Sequence, residues 1–258
     1  EHCADKYDLR RHLRLHTYVE QAVFDERLDV WRVHTSEGVI TTRFLVGAVG
    51  PLDKPHMPDI EGVARFAGQV IHTARWNHDA DLRGKRIAVI GTGASALQLI
   101  PEIAGGAQQL DVYQRTAIWV MPKVDFAIAR EVQALFEAAP PTQQLMRVVT
   151  SAATEVIMVL GVVQHTKFPF LVRAMERVCL EHLQRQVKDP EVRRKLTPRY
   201  SFGCKRPSFS NRYLSTFNRP NTELITTPIA RITETTIITT DGHERPIDTL
   251  ILATGFKV

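Results

Sequence analysis

Cysteine is scarce. Cys3, Cys179 and Cys204 are the only three among 258 residues, odd in number and far apart. That spacing excludes a disulfide framework and the close pairs that ligate zinc, and it fits a reducing cytoplasm. Long apolar runs are missing too. The longest extends from Val156 to Val163, with Glu155 before it and His165 and Lys167 soon after. A bilayer span needs about 20 apolar residues, so this run reads as a buried helix rather than an anchor. No charged-then-apolar leader opens the chain, whose first residue is Glu1 and not methionine. Nor is the chain short of apolar residues: hydrophobic residues make up 44% and charged residues 24%, which excludes disordered and fibrous classes. The formal charge is +5, but Lys and Arg are scattered instead of gathered in one stripe. A nucleic-acid surface is therefore not expected, and a phosphorylated small ligand accounts for the excess as well. The length allows one large domain or two smaller ones.

Two stretches resemble each other. Val30 to Thr35 is strand-like, Ser36-Glu37-Gly38 is a turn, and a second strand runs from Val39 through Arg43 into Phe44-Leu45-Val46. It ends at Ala48-Val49-Gly50. Later, Thr236 to Thr240 leads to the hairpin signal Asp241-Gly242. Ile247 to Leu252 then ends at Ala253-Thr254-Gly255. Each copy reads as a β-meander whose last apolar strand stops at a glycine, the place where an open α/β sheet meets its ligand. Two unrelated hairpins fit this pattern equally well. Between the copies, Lys85 to Ile90 reads as a strand, Gly91 to Ala96 as a glycine turn and Leu97 to Ala104 as a helix bent at Pro101. A strand follows at Leu110 to Tyr113. From about Phe126 to Lys195 the chain reads helical. Val172, Met175, Cys179, Leu183 and Val187 form one apolar face there, and Asp189-Pro190 opens a further helix. This block interrupts the alternation of strand and helix and reads as an insertion, ended by Pro198 and the loop around Gly203.

The glycine turn carries the first chemistry. Gly91 permits the tight turn, Gly93 lets the backbone approach a pyrophosphate, and Ala96 lets helix and strand pack closely. The helix start then offers the N–H groups of Thr92, Gly93, Ala94 and Ser95 and a positive dipole end to phosphates. The alternative is a glycine-rich turn that binds nothing. The end of the next strand selects the dinucleotide. NAD enzymes place an acid there, whereas this chain has Gln114-Arg115-Thr116. Arg115 presents a fork suited to a 2′-phosphate, and Thr116 adds a hydroxyl. Asp111, at the strand start, is not expected to reach. NADPH is the expected nucleotide, with a plain surface arginine as the other reading.

Upstream stands Phe66-Ala67-Gly68-Gln69-Val70-Ile71-His72-Thr73-Ala74-Arg75-Trp76-Asn77. On its own this is an aromatic linker, and its lone His72 is more simply structural. The pattern nevertheless resembles F-x-G-x-x-x-H-x-x-x-W, the fingerprint of Baeyer–Villiger monooxygenases, with Phe66, Gly68, His72 and Trp76 matching. Asn77 stands where family members carry Pro or Asp. Ala48-Val49-Gly50 and Ala253-Thr254-Gly255 resemble the two links between the family's FAD and NADPH domains, with Val49 in place of the usual threonine. Gly203-Cys204-Lys205-Arg206 is similar to the family's Gly-x-Lys-Arg segment. Without the family, Lys205 and Arg206 are two solvated charges.

The resemblance implies an α/β architecture. A Rossmann-like NADPH-binding domain spans 61–240 with a helical insertion at about 124–200, and incomplete pieces of an FAD-binding α/β domain occupy 1–60 and 241–258. It implies FAD and NADPH as cofactors, with Gly91 to Ala96, Arg115, Thr116, Lys205 and Ala253 to Gly255 binding them. His72 and Arg206 are the implied catalytic residues, Arg206 stabilising negative charge during oxygen transfer. The implied reaction passes hydride from NADPH to FAD and inserts one atom of O₂ into a small organic substrate, turning a ketone into an ester or lactone. An amine- or sulfide-oxidising flavin monooxygenase is the alternative, against which Trp76 and Arg206 argue. A nucleotide-binding module without activity is another. The family's own first glycine turn and its active-site aspartate have no counterpart here, and a partial sequence is the expected explanation.

Overall fold

A computed structural model describes residues 2–123, 125, 127–156, 159, 163 and 167–257. The chain divides into two compact units, residues 1–51 and 52–258.

The first unit opens with the helix α1 (His2–Lys6) and is built on a three-stranded antiparallel meander. Its strands are β1 (Val19–Asp25), β2 (Val30–Thr35) and β3 (Gly38–Thr42), in the order β1-β2-β3. Phe24 pairs with Trp31 across β1 and β2, and their rings lie 5.2 Å apart. The expected continuation of β3 through Phe44-Leu45-Val46 is not a strand. Phe44, Val46 and Val49 are 79%, 84% and 92% exposed. An extended apolar segment becomes a strand only when neighbours satisfy its backbone. None pairs with residues 44–50 among the described residues.

The second unit is organised by a five-stranded parallel sheet, ordered β4-β13-β5-β6-β9. Its strands are β4 (Gln69–His72), β5 (Arg86–Ile90), β6 (Gln109–Tyr113), β9 (Thr222–Ile225) and β13 (Thr249–Leu252). The strand centres bury apolar residues toward both faces because both faces are covered. Ile87, Val89, Leu110, Val112 and Ile251 point into one core cluster. Ala88, Tyr113, Leu250 and Leu252 point into another on the opposite face. Helix α2 (Ala94–Ile103) follows β5 and runs through Pro101 to a closing bond from the Ala104 N–H to the Ile100 carbonyl, 3.1 Å. A second antiparallel meander joins β10 (Ile229–Ile232), β11 (Thr236–Thr239) and β12 (Glu244–Pro246) before β13. Thus β13, expected to leave for another domain, lies inside the sheet between β4 and β5.

The helical block comprises α3 (Arg130–Ala138), α4 (Pro140–Glu155), α5 (Pro169–Gln186) and α6 (Pro190–Leu196). On α5 the expected stripe is buried at Val172, Cys179 and Leu183. Asp189 caps α6, its carboxylate accepting the Glu191 N–H at 2.7 Å. The run from Val156 to Val163 falls largely outside the described residues. Those of it that are described and apolar, Val156, Val159 and Val163, are exposed, against the expectation of burial. The preceding α3 and α4 bury no residue either, so no layer covers this end of the block among the described residues. No described helix is long and apolar enough to cross a membrane. Two short strands, β7 (Val120–Met121) and β8 (Ser208–Phe209), pair in parallel and lie on either side of the block in sequence. Helix α7 (Tyr213–Thr216) follows.

Candidate functional site

Parallel strands end together. His72, Leu252, Ile90 and Tyr113 are register partners across β4, β13, β5 and β6. The residues that follow them therefore share one edge of the sheet. Gly91 holds φ at +108°, and a Cβ there would lie 2.5 Å from the Ala253 carbonyl oxygen. Only glycine fits both the dihedral and the approach. The turn is tied down by the Gly91 N–H to the Tyr113 carbonyl, 3.1 Å, and by the buried Thr92 hydroxyl to the Thr116 carbonyl, 3.2 Å. Gly93 caps α2 without a side-chain hydrogen bond, and the space at its Cβ is open. The first N–H groups of α2, including those of Ala94 and Ser95, have no helical acceptor. They and the dipole favour an anion, and Ala96, fully buried, sets the helix against the sheet.

Beyond β6, Gln114 is buried, Arg115 exposed and Thr116 half-buried. A groove of about 420 Å³ opens here, lined by Arg115 and Thr116 on one side and by Arg194, Lys195, Arg199 and Tyr200 on the other. Asp111 sits three residues before Gln114, about 10 Å along the strand. It is buried, bonded to Gln109 at 2.8 Å, and its pKa is raised by burial. It does not line the groove.

The fingerprint residues form one packing unit. Phe66 is buried in the core beneath the sheet. A Cβ on Gly68 would meet the Asp248 carbonyl and the Phe66 ring, each at 2.5 Å. The segment read as a linker is strand β4, paired along β13, and Trp76 packs against the other core. His72 ends β4. Its Nδ1 accepts the Ala74 N–H at 3.1 Å, and its Nε2 lies 3.3 Å from the Thr254 hydroxyl. That hydroxyl donates to the His56 carbonyl. The neutral ring therefore carries its proton on Nε2 and donates it to Thr254. Burial lowers the His72 pKa from 6.5, against the raising effect of the Gly255 and His56 carbonyls. Gly255 takes φ of +79° and accepts the His56 N–H at 2.9 Å.

Lys205 and Arg206 lie on the loop after the helical block. Trp119 Nε1 donates to the Tyr200 carbonyl at 2.8 Å, Glu176 accepts the Phe202 N–H at 3.0 Å, and β7 pairs with β8. Lys205 Nζ stands 5.1 Å from the centre of the Tyr200 ring, which lines the groove beside Arg115. Arg206 is exposed. Among the described residues no hydrogen bond or ion pair links it to His72 or to the glycine turn. The structure thus brings Gly91 to Ala96, Arg115, Thr116, His72 and Ala253 to Gly255 to one edge, with Lys205 joined through Tyr200. Gln114, Arg194, Lys195 and Arg199 were not expected at the site. The basic run Arg193-Arg194-Lys195, followed by Arg199, is the one sequence signal that could have pointed to the last three, and Gln114 has none.

The description FMO-like, flavin-binding monooxygenase-like, belongs to a family whose model matches residues 2–258. A Baeyer-Villiger monooxygenase of Streptomyces coelicolor is 39% identical over 258 residues, all of this chain and 49% of that protein. Phenazine N-monooxygenase of Lysobacter antibioticus is 32% identical, covering 98% of this chain and 53% of its own. Among solved structures, an oxidized steroid monooxygenase bound to NADP superposes with a TM-score of 0.85 at 34% identity, over 99% of this chain and 55% of that one. The chain spans about half the length of the curated relatives it matches. Sequence and fold agree from one end of the chain to the other, and the chain belongs to the flavin-binding monooxygenase-like family.

Proposed function

We propose that this chain carries the NADPH-binding machinery of an FAD-dependent monooxygenase that performs Baeyer–Villiger oxidation, inserting one atom of O₂ beside the carbonyl carbon of a ketone to give an ester or lactone. The observation that carries this reading is a single sheet edge holding both the glycine turn with Arg115 just beyond the next strand, β6, and, through β4, the fingerprint residue His72. The open Gly93 and the start of α2 would hold the pyrophosphate of NADPH, and Arg115, Thr116 and Lys205, which stands over Tyr200, would hold its 2′-phosphate. FAD, when bound, supplies the redox centre that takes hydride from NADPH and activates O₂. The protein's part is to position and to stabilise charge. Arg206 is exposed and makes no hydrogen bond or ion pair among the described residues, so its several donors can face the negative charge of oxygen transfer. His72, neutral and holding Thr254, is a positioning residue at the segment Ala253-Thr254-Gly255, which we assign to the passage between NADPH- and FAD-binding parts.

The resemblance to a phenazine N-monooxygenase supports a second reading, oxidation of a ring nitrogen. Product analysis of the complete protein with a cyclic ketone and with an aromatic amine separates the two. A lactone supports the first reading, and an N-oxide alone overturns it. The nucleotide assignment has its own test. Arg115→Ala is expected to weaken NADPH binding by about ten- to a hundred-fold and leave NADH nearly unchanged. Equal loss of both nucleotides overturns the role of Arg115.

A further inference from the structure

We infer that Lys195 and Arg199, which belong to the helical block and its exit and not to the nucleotide-binding sheet, form the second wall of the phosphate groove and set its preference for a 2′-phosphorylated dinucleotide. The inference rests on reading this sheet edge as an NADP(H) site. Arg115 and Thr116 supply one wall of the groove, and Arg194, Lys195 and Arg199 stand on the other, with no acidic side chain among the lining residues. A phosphate monoester near neutral pH carries about −1.5 to −2 charges. Arg115 on the first wall, even with Lys205 over Tyr200, leaves part of that charge unmatched, and Lys195 and Arg199 across the groove complete the match and raise the local potential.

The three basic side chains of the second wall are not equivalent. The Arg194 guanidinium is held by Glu191 one turn back, with Nε 2.9 Å from the carboxylate. Lys195 and Arg199 make no ion pair among the described residues and keep their charge for a ligand. Lys195 is a mobile point charge, and Arg199 brings a planar fork.

The wall is fixed to the segment after β6 that carries Arg115. Gln114 is 5% exposed, and its Nε2 donates to the Lys195 carbonyl at 2.7 Å across 81 residues of sequence. That bond also has an electrostatic use. Lys195 is in the last turn of α6, where unpaired carbonyls and the negative end of the helix dipole oppose an anion. The Gln114 amide covers one of those carbonyls, so the groove meets the basic side chains without it. The other Gln114 atom, Oε1, is buried and has no hydrogen-bond partner among the described residues. Gln114 is a positioning residue in this arrangement.

The experiment measures Kd by calorimetry on the complete protein for NADPH, NADH and adenosine 2′,5′-bisphosphate, the last of which probes this end alone. In Lys195→Gln/Arg199→Gln, NADPH and the bisphosphate are expected to weaken about ten-fold or more while NADH stays within about two-fold. The charge-keeping pair Lys195→Arg/Arg199→Lys is expected to retain most of the preference. Unchanged NADPH affinity in the neutral pair, with Arg115→Ala still selective, overturns the second wall alone. Insensitivity of all variants overturns the NADP(H) reading of the edge and the inference with it. Equal loss of NADPH and NADH, or equal loss in the charge-keeping pair, shows a structural effect and also overturns it.

Discussion

Replacing Gly68 with alanine tests whether the fingerprint is a packing device. The added methyl meets the Asp248 carbonyl oxygen at 2.5 Å and two carbons of the Phe66 ring at 2.5 and 2.7 Å. Neither neighbour withdraws easily. The Asp248 N–H donates to the Arg86 carbonyl at 2.8 Å, and its carbonyl accepts the Gln69 N–H at 3.2 Å. Its carboxylate accepts the Arg86 N–H at 2.8 Å and the Arg86 guanidinium at 2.6 and 3.1 Å. These bonds hold the Asp248 pKa down to about 2. Phe66 is buried in the same core cluster as Leu250, Ile232 and Ile247. Overpacking of a filled core costs about 1–3 kcal/mol, and two contacts at once, one with a fixed backbone, place Gly68→Ala at about 2–3. At about 2–4 °C per kcal/mol, the melting temperature falls by roughly 4–12 °C. Circular dichroism melts without nucleotide measure it. Gly93→Ala is the control, since nothing lies within 4 Å of its Cβ and its φ is −73°, and its shift should stay within about 0.5 kcal/mol. A Gly68→Ala protein that melts within about 1 °C of the parent refutes the packing argument.

Three more outcomes follow from the site. Below 6.5 the unfolded chain takes up a proton that buried His72 resists, so stability falls as pH drops, and His72→Gln should flatten that slope between about pH 7 and 5 in urea titrations; an unchanged slope removes His72 from the account. Cys3 and Cys204 are exposed, while burial pushes the Cys179 thiol up to about 12. Iodoacetamide with peptide mapping should therefore mark the first two and spare Cys179 until unfolding, and early labelling of Cys179 contradicts its burial. Arg206→Ala should slow oxygenation about 10²–10³-fold with a smaller change in flavin reduction by NADPH. Stopped-flow traces separate the two, and near-normal oxygenation makes Arg206 an ordinary surface charge.

The parts of the fold that are legible in the sequence are those set by neighbours close in the chain. Strand β5, the glycine turn, α2 and β6 follow within 30 residues, and each carries its own periodicity or glycine signal. The stripe on α5 and the cap at Asp189 are local in the same way. Strand β4 is not. Gln69 to His72 offers only two apolar residues between two polar ones, and it is a strand because β13, some 180 residues later, supplies its partner. The pair β7 and β8, two residues each, has no signal that separates it from loop. The segment at Phe44 shows the converse, a strand-like composition that stays irregular where no strand pairs with it. In the site, Arg115 was readable from its place after a strand end, but Lys195 is tied to the groove by a bond spanning 81 residues, and Arg199 follows it in the chain.

Strand β13 explains why two distant motifs act together. Its approach begins at Asp248, whose carbonyl lies where a Cβ on the fingerprint glycine Gly68 would be. It ends at Ala253, whose carbonyl lies where a Cβ on the turn glycine Gly91 would be, each at 2.5 Å. The two glycines thus admit the same strand from opposite sides and opposite ends. One comes from β4 and the other from β5, the strands that flank β13 in the sheet. The chain emerging from β13 then presents Thr254 to His72, four residues after Gly68, and places Ala253 against the nucleotide turn. A side chain at either glycine displaces the strand that the other holds. The fingerprint and the nucleotide turn are therefore coupled through backbone contact, with no need of a direct hydrogen bond between them. This coupling also accounts for the fingerprint's appearance as a linker when read alone, because the surface that gives Gly68 its meaning is made by residues at the far end of the chain.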